Sequence, residues 1–202
     1  MCIRDSQRQK IASAQRVANP GCYATSIAIA AAPAVSAHLV EKDDLVVVAA
    51  SGTTGAGRKA STALLASEIM GSLTSYKFGG VHQHTPEIEQ TLSALSGDSV
   101  KISFTPILAP MPRGILATIT SRLTKNVTNQ DVYDLYRNFY ANEPFVALLE
   151  PGQLPKTSSV VGSNSVQLQL AVDEHTNRLV ISAALDNLGK GCLLYTSPSP
   201  RD

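Results

Sequence analysis

The 202 residues carry 17 Lys and Arg against 16 Asp and Glu, a formal net charge of +1, and 44% are hydrophobic. That is enough apolar material for one sizeable domain. A near-neutral chain whose longest basic run is the pair Arg58 and Lys59 has no electrostatic footprint for nucleic acid or an anionic membrane. The most apolar run, residues 27–35, is too short to span a bilayer and contains Pro33, so the expectation is a cytoplasmic protein that works on small molecules.

Residues 1–6 (MCIRDS) and 192–202 (CLLYTSPSPRD) have no periodicity and resemble translated adapter sequence, so the native domain is expected at residues 7–191. Cys2 and Cys192 fall near those ends and Cys22 lies inside, which suggests no disulfide framework. After NPGC, residues 24–40 are alanine-rich and read as a helix kinked by Pro33. LVVVAA at 45–50 is a continuous apolar run of strand length, predicting a strand covered on both faces. SGTTGAGRKAS then forms a glycine loop leading to a second helix over residues 59–70. In GGVHQHTPEIEQTLSAL, Thr85 reads as an N-cap with Pro86 at the first helical position, and Ile88, Leu92 and Leu95 share one face.

Residues 101–108 and 114–123 read as strands around the turn-rich APMPRG. Thr128 to Asp131 has capping-box spacing, followed by an amphipathic face of Val132, Leu135, Tyr136 and Phe139. Val166, Leu168, Leu170 and Val172 alternate with polar residues, DEHTN makes a turn, and Leu179, Ile181, Ala183 and Leu185 alternate again, predicting a hairpin. Grouped strands with helices between some of them predict an α+β fold on a mixed, mostly antiparallel sheet.

Chemistry concentrates on Cys22. A free thiol with a pKa of roughly 8.5 is mostly protonated at neutral pH, and the first turn of a helix favours the thiolate through its unpaired N–H groups and dipole. The competing reading is a small buried hydrophobe, the commoner fate of a free cysteine. Of four histidines, His38 and His175 read as structural or solvent-facing. His82 and His84, one residue apart before a helix N-terminus, are the candidates for a neutral general base. In an extended segment their side chains point to opposite sides, so at most one would face the cysteine. A metal site on this pair lacks third and fourth ligands at suitable spacing, so no metal is expected. Gly52, Gly55 and Gly57 sit between strand and helix, as an anion-cradling turn or an ordinary loop would. Arg113 is a fixed guanidinium suited to a carboxylate or phosphate, set against a merely solvated arginine.

NPGCYATS, SGTTGAGRKAS, GGVHQHTPEIEQ, SFTPILAPMPRGILAT, EPFV, GQLPKTSSVVGSN and ALDNLGKG, in this order and spacing, resemble the N-acetyl-gamma-glutamyl-phosphate reductases, relatives of aspartate-semialdehyde dehydrogenase. The resemblance implies the catalytic-domain fold of the glyceraldehyde-3-phosphate-dehydrogenase-like enzymes and a cytoplasmic homo-oligomer. It implies an acyl phosphate as substrate, NADP as hydride carrier, and a place in arginine biosynthesis. It makes Cys22 the nucleophile, His82 the acid/base, and His84 and Arg113 substrate contacts. Ser51, Gly52, Gly55, Gly57 and Asn187 become cofactor contacts. The family's N-terminal Rossmann domain with its glycine fingerprint and its closing C-terminal helix have no counterpart in these residues, and Tyr23 and Ala24 stand where many relatives have Tyr-Pro. Two other readings stay open: a cysteine acyl-transferase or hydrolase that uses the same Cys-His pair without hydride transfer, and a folding and oligomerisation module.

Overall fold

The computed structural model describes residues 13, 15, 20–57 and 61–190. The expected foreign ends, at 1–6 and 192–202, lie outside the described residues. So do Arg58 and Lys59.

Among the described residues, seven strands form one sheet in the order β2-β3-β1-β4-β7-β6-β5. They are β1 (Leu45–Ser51), β2 (Thr74–Ser75), β3 (Ile102–Leu108), β4 (Ile115–Arg122), β5 (Val146–Leu148), β6 (Val166–Asp173) and β7 (Arg178–Leu185). Pairing is antiparallel except between β1 and β3 and between β5 and β6. The mixed, mostly antiparallel sheet and the hairpin of β6 and β7 match the sequence reading. The two strands flanking APMPRG do not pair with each other, because β1 lies between them.

Helix α1 (Cys22–Ser36) is buried along almost its whole length. It packs on β4 and β7 and is covered in turn by α3 (Thr85–Ser96) and α4 (Asn129–Phe139). A helix enclosed this way suits an alanine-rich sequence, since small side chains allow close approach on every side. Pro33 has no N–H for the carbonyl of Ile29, four residues back. The Tyr140 hydroxyl donates to that oxygen instead, and the Tyr136 hydroxyl donates to Ala30 O at 2.7 Å. Both tyrosines come from α4 or its C-cap, so the proline is accommodated by a neighbouring element.

The remaining helical expectations divide. The capping box is present, with Thr128 Oγ1 accepting from the Asp131 N–H and the Asp131 carboxylate accepting from the Thr128 N–H. Helix α3 starts one residue early: its N-cap is His84 and Thr85 is already helical, its hydroxyl buried with no hydrogen-bond partner among the described residues. Of the predicted helix over 59–70, the described part, 61–70, forms a 3-10 turn (Thr62–Leu64) and one turn of α2 (Ala66–Ile69). Ile69 alone is buried there, with Leu65 and Met70 exposed, so one anchor residue holds a single turn and not a longer helix.

The prediction of a doubly covered β1 is also corrected. Its residues alternate, with Leu45, Val47 and Ala49 in the core and Val46 and Val48 exposed at 37% and 41%. The helices cover one face of the sheet. On the other, Val46, Val48 and Leu116 remain open to solvent within this chain.

Candidate active site

The sheet register assembles the site. Ser51 at the end of β1 pairs with Ile115 at the start of β4 and with Leu108 at the end of β3, and Ile115 pairs with Leu185 at the end of β7. The segments leaving these four strands therefore emerge side by side. They are the glycine loop from 52, the PMPRG turn, and the 186–190 turn.

These loops interlock. Gly52 N donates to Gly114 O, Thr53 N to Met111 O and Thr54 N to Pro112 O. A Cβ at Gly52 would lie 2.8 Å from Arg113 N and 2.9 Å from Met111 O, a contact only glycine permits. Asn187, fully buried, accepts from Gly114 N at 2.7 Å and donates to Thr54 Oγ1 at 3.1 Å.

Cys22 enters from the helical layer as the first residue of α1, after the extended N-cap Gly21. It is buried and in no disulfide among the described residues. A Cβ placed on Gly55 would stand 3.2 Å from Asn187 Nδ2, 3.3 Å from Ser51 Oγ and 4.0 Å from Cys22 Sγ. The absent side chain at Gly55 thus leaves a gap bordered by the thiol, a hydroxyl and a carboxamide. A Cβ on Gly57, with φ of 83°, would meet nothing within 4 Å among the described residues, so Gly57 is not drawn into this group.

The two histidines come from the entrance to α3. They do not diverge as an extended segment would require, because His84 is helical (φ −84°, ψ −13°) and Thr85 N closes a turn on His82 O. Their rings pack edge to face with centroids 4.9 Å apart. His82 is buried among Tyr23, Tyr76 and Phe104, at centroid distances of 5.6, 5.8 and 5.1 Å. Its Nδ1 accepts the His84 backbone N–H at 3.1 Å, so the neutral ring carries its proton on Nε2. Burial, then the neighbouring His84 and Lys77, push its pKa down to about 4. His84 is held low by burial and by Lys77 as well. Both imidazoles are therefore bases at neutral pH. His84 sits closest to the start of α1, where its Nε2 would be only 2.3 Å from a Cβ on Gly21. Its Nδ1 is buried with no hydrogen-bond partner among the described residues.

Arg113 is half-buried and donates through Nε to Asp186 Oδ1 at 3.2 Å and through Nη2 to Oδ2 at 2.7 Å. Sequence reasoning passed over Asp186, although it directly precedes Asn187 in the quoted DNLGKG. It also passed over Glu87 of the HTPE segment, a carboxyl close to the Gly21 backbone N–H at the start of α1 whose pKa burial raises. Tyr76 donates to the Tyr23 hydroxyl at 3.1 Å, and Tyr23 to Ile107 O at 3.3 Å. Burial raises the pKa of both phenols, so they stay protonated beside Cys22.

The described residues thus place a thiol at a helix entrance, two neutral imidazoles against its N-cap and a glycine-floored gap beside it, while the Arg113 guanidinium is turned to Asp186 in the adjoining loops. Residues 22–187 match the family model of the semialdehyde dehydrogenase dimerisation domain. The chain is 58% identical over 184 residues to the N-acetyl-gamma-glutamyl-phosphate reductase of Acidothermus cellulolyticus, covering 91% of this chain and 54% of that protein. With the reductase of Micrococcus luteus the identity is 54% over 185 residues, covering 92% and 54%. The chain spans about half the length of these relatives. Among solved structures, aspartate semialdehyde dehydrogenase II from Vibrio cholerae superposes with a TM-score of 0.71 at 15% identity, over 95% of this chain and 63% of that one. A probable aspartate-semialdehyde dehydrogenase from Pseudomonas aeruginosa does so with 0.70 at 14%, over 96% and 65%. The arrangement of sheet, helices and loops is therefore that of a known fold, and the chain belongs to the semialdehyde dehydrogenase family, of which it carries the dimerisation domain.

Proposed function

We propose that this domain is the catalytic half of an N-acetyl-gamma-glutamyl-phosphate reductase. Such an enzyme reduces its acyl phosphate to the semialdehyde through a thioester on Cys22, with NADP as the hydride carrier, in cytoplasmic arginine biosynthesis. The observation that carries the proposal is the placing of Cys22 Sγ at the entrance of α1, beside a gap that any side chain at Gly55 would fill.

The helix entrance favours the thiolate and offers N–H groups to an acyl oxyanion. A neutral imidazole takes the thiol proton as sulfur attacks the acyl carbon; the C–S bond forms, the C–O bond to phosphate breaks, and phosphate leaves. The resemblance assigns this proton to His82. The contact of His84 with Gly21, next to Cys22, favours His84 instead, with His82 behind it accepting the His84 N–H. Arg113 is suited to the leaving phosphate.

The residues also fit a nicotinamide cofactor. Ser51 and Asn187 border the gap at Gly55, with Gly52 in the same loop against Arg113, and when bound the cofactor supplies the hydride that reduces the thioester. Self-association is the natural covering for the open face with Val46, Val48 and Leu116, in keeping with a dimerisation domain.

The test uses the full-length enzyme that contains this domain. Cys22→Ser is expected to abolish phosphate-dependent oxidation of the semialdehyde with the fold intact; retained activity refutes the nucleophile. Thioester turnover that needs no nicotinamide would show a cysteine acyl-transferase or hydrolase instead. His84→Asn and His82→Asn, compared in the same assay, separate the two imidazoles.

A further inference from the structure

Asp186 is a carboxylate with no solvent exposure at the exit of β7. It accepts five N–H donors. Three are backbone groups, Gly162, Leu188 and Gly189, and two belong to the Arg113 guanidinium. A carboxylate with three amide donors is already well satisfied in a buried setting, so Arg113 is not needed to make Asp186 tolerable. The reverse dependence is stronger. Arg113 has a long side chain, 31% exposed, and the fork of Asp186 is what fixes its plane.

The fork engages only the Nε and Nη2 edge. Nη1 and the second Nη2 proton have no partner among the described residues. Because the charge of Asp186 is shared with three amides, the guanidinium keeps part of its positive potential. Arg113 also adjoins the thiol's surroundings, since its backbone abuts Gly52 and the next residue, Gly114, donates to Asn187.

We infer that Asp186 is a positioning residue, which locks the Arg113 guanidinium by one edge so that the opposite edge receives the phosphate of the acyl phosphate substrate. This rests on the reading of Arg113 as a substrate contact and adds what holds it there. Asp186→Asn removes the charge and sets an amide N–H against a guanidinium N–H. The guanidinium then loses its fixed plane and must be ordered again on each binding event.

The test observes the arginine side chains of the 202-residue protein by NMR, with inorganic phosphate as probe. In the wild type the Nη resonances of Arg113 are expected to be resolved separately, because the fork hinders rotation, and phosphate shifts its Nε–Hε signal saturably. Arg122 and Arg137 serve as internal controls. In Asp186→Asn the Nη signals merge, and phosphate affinity at Arg113 falls roughly three- to tenfold, the loss expected from one re-ordered long side chain. A wild-type Arg113 with separate Nη signals that ignores phosphate overturns the substrate-contact reading and the inference with it. A wild type that responds, beside a folded Asp186→Asn that responds equally, overturns the positioning role alone. Should the variant fail to fold, the wild-type Nη signals decide, and merged signals overturn the inference.

Discussion

Gly21→Ala isolates the contact between the cysteine helix and the histidine pair. Gly21 has φ −61° and ψ 158°, a conformation alanine adopts without strain, so any effect arises from the added methyl. That methyl would lie 2.3 Å from His84 Nε2, 2.5 Å from Cε1 and 3.0 Å from Cδ2. Ordinary carbon contacts begin at about 3.5 Å, so the imidazole must retreat by roughly 1 Å. Behind it stands the His82 ring at 4.9 Å, itself enclosed by Tyr23, Tyr76 and Phe104, so the retreat compresses a packed cluster. Overpacking of this kind costs about 1–3 kcal/mol. Urea unfolding of the 202-residue chain measures it, and the double variant Gly21→Ala with His84→Ala is expected to recover most of the loss because the struck ring is gone. In the full-length enzyme a displacement of this size is expected to lower turnover by about a hundredfold. If Gly21→Ala costs the same with and without the His84 ring, the two residues are uncoupled and the proposed placing of His84 at the helix entrance fails.

Stability should also fall on acidification. An unfolded His82 takes up a proton near pH 6.5, whereas the folded one resists until about pH 4, so stability is lost as pH falls between these values and levels off below. The difference corresponds to about 3 kcal/mol, and urea midpoints that stay flat across this window in the wild type, or fall equally in His82→Gln, would contradict the cause. Tyr140→Phe is expected to cost about 1–2 kcal/mol by leaving Ile29 O without its donor, and less in a Pro33→Ala background, where the restored N–H serves that oxygen. Equal costs in the two backgrounds would rule out that exchange of partners. Val48→Lys places a charge on the open sheet face and should shift the protein to monomer in sedimentation, with its circular dichroism unchanged; an unaltered assembly would move the self-association surface elsewhere.

Much of the local structure was legible because it is written in short periods. The alternation in 166–172 and 179–185 gives β6 and β7, and the capping box gives the start of α4. The doubly covered β1 was misread for a physical reason: LVVVAA is apolar at every position, and its outward valines are open in the isolated chain. An apolar residue reports that a surface is better covered, not which chain covers it. The N-cap of α3 was missed by one residue because Thr85 is a good cap in isolation, yet here the turn from His82 to Thr85 brings His84 into the helical region first. That single residue decides the site, since it turns two diverging imidazoles into an adjacent pair.

What no local pattern contains is the register of the sheet, and the site depends on it. Ser51, Ile115 and Leu185 are level across three neighbouring strands, and each is within two residues of a group that matters: Gly52 after the first, Arg113 before the second, Asp186 and Asn187 after the third. Arg113 and Asp186 meet across a separation of 73 residues because β4 and β7 run antiparallel with those ends aligned. A slip of one residue would turn the alternating faces over, which the buried face, from Ile115 and Ala117 to Ala183 and Leu185, opposes strongly. A slip of two would keep the faces but part Arg113 from Asp186 by about 7 Å along the strand, freeing the guanidinium from the fork that fixes it and breaking the Gly114 N–H bond to the buried Asn187. Core packing thus excludes the odd slips, and the polar loop contacts at the strand ends exclude the even ones. The groups that hold the Arg113 guanidinium are the same groups that fix where the sheet stops.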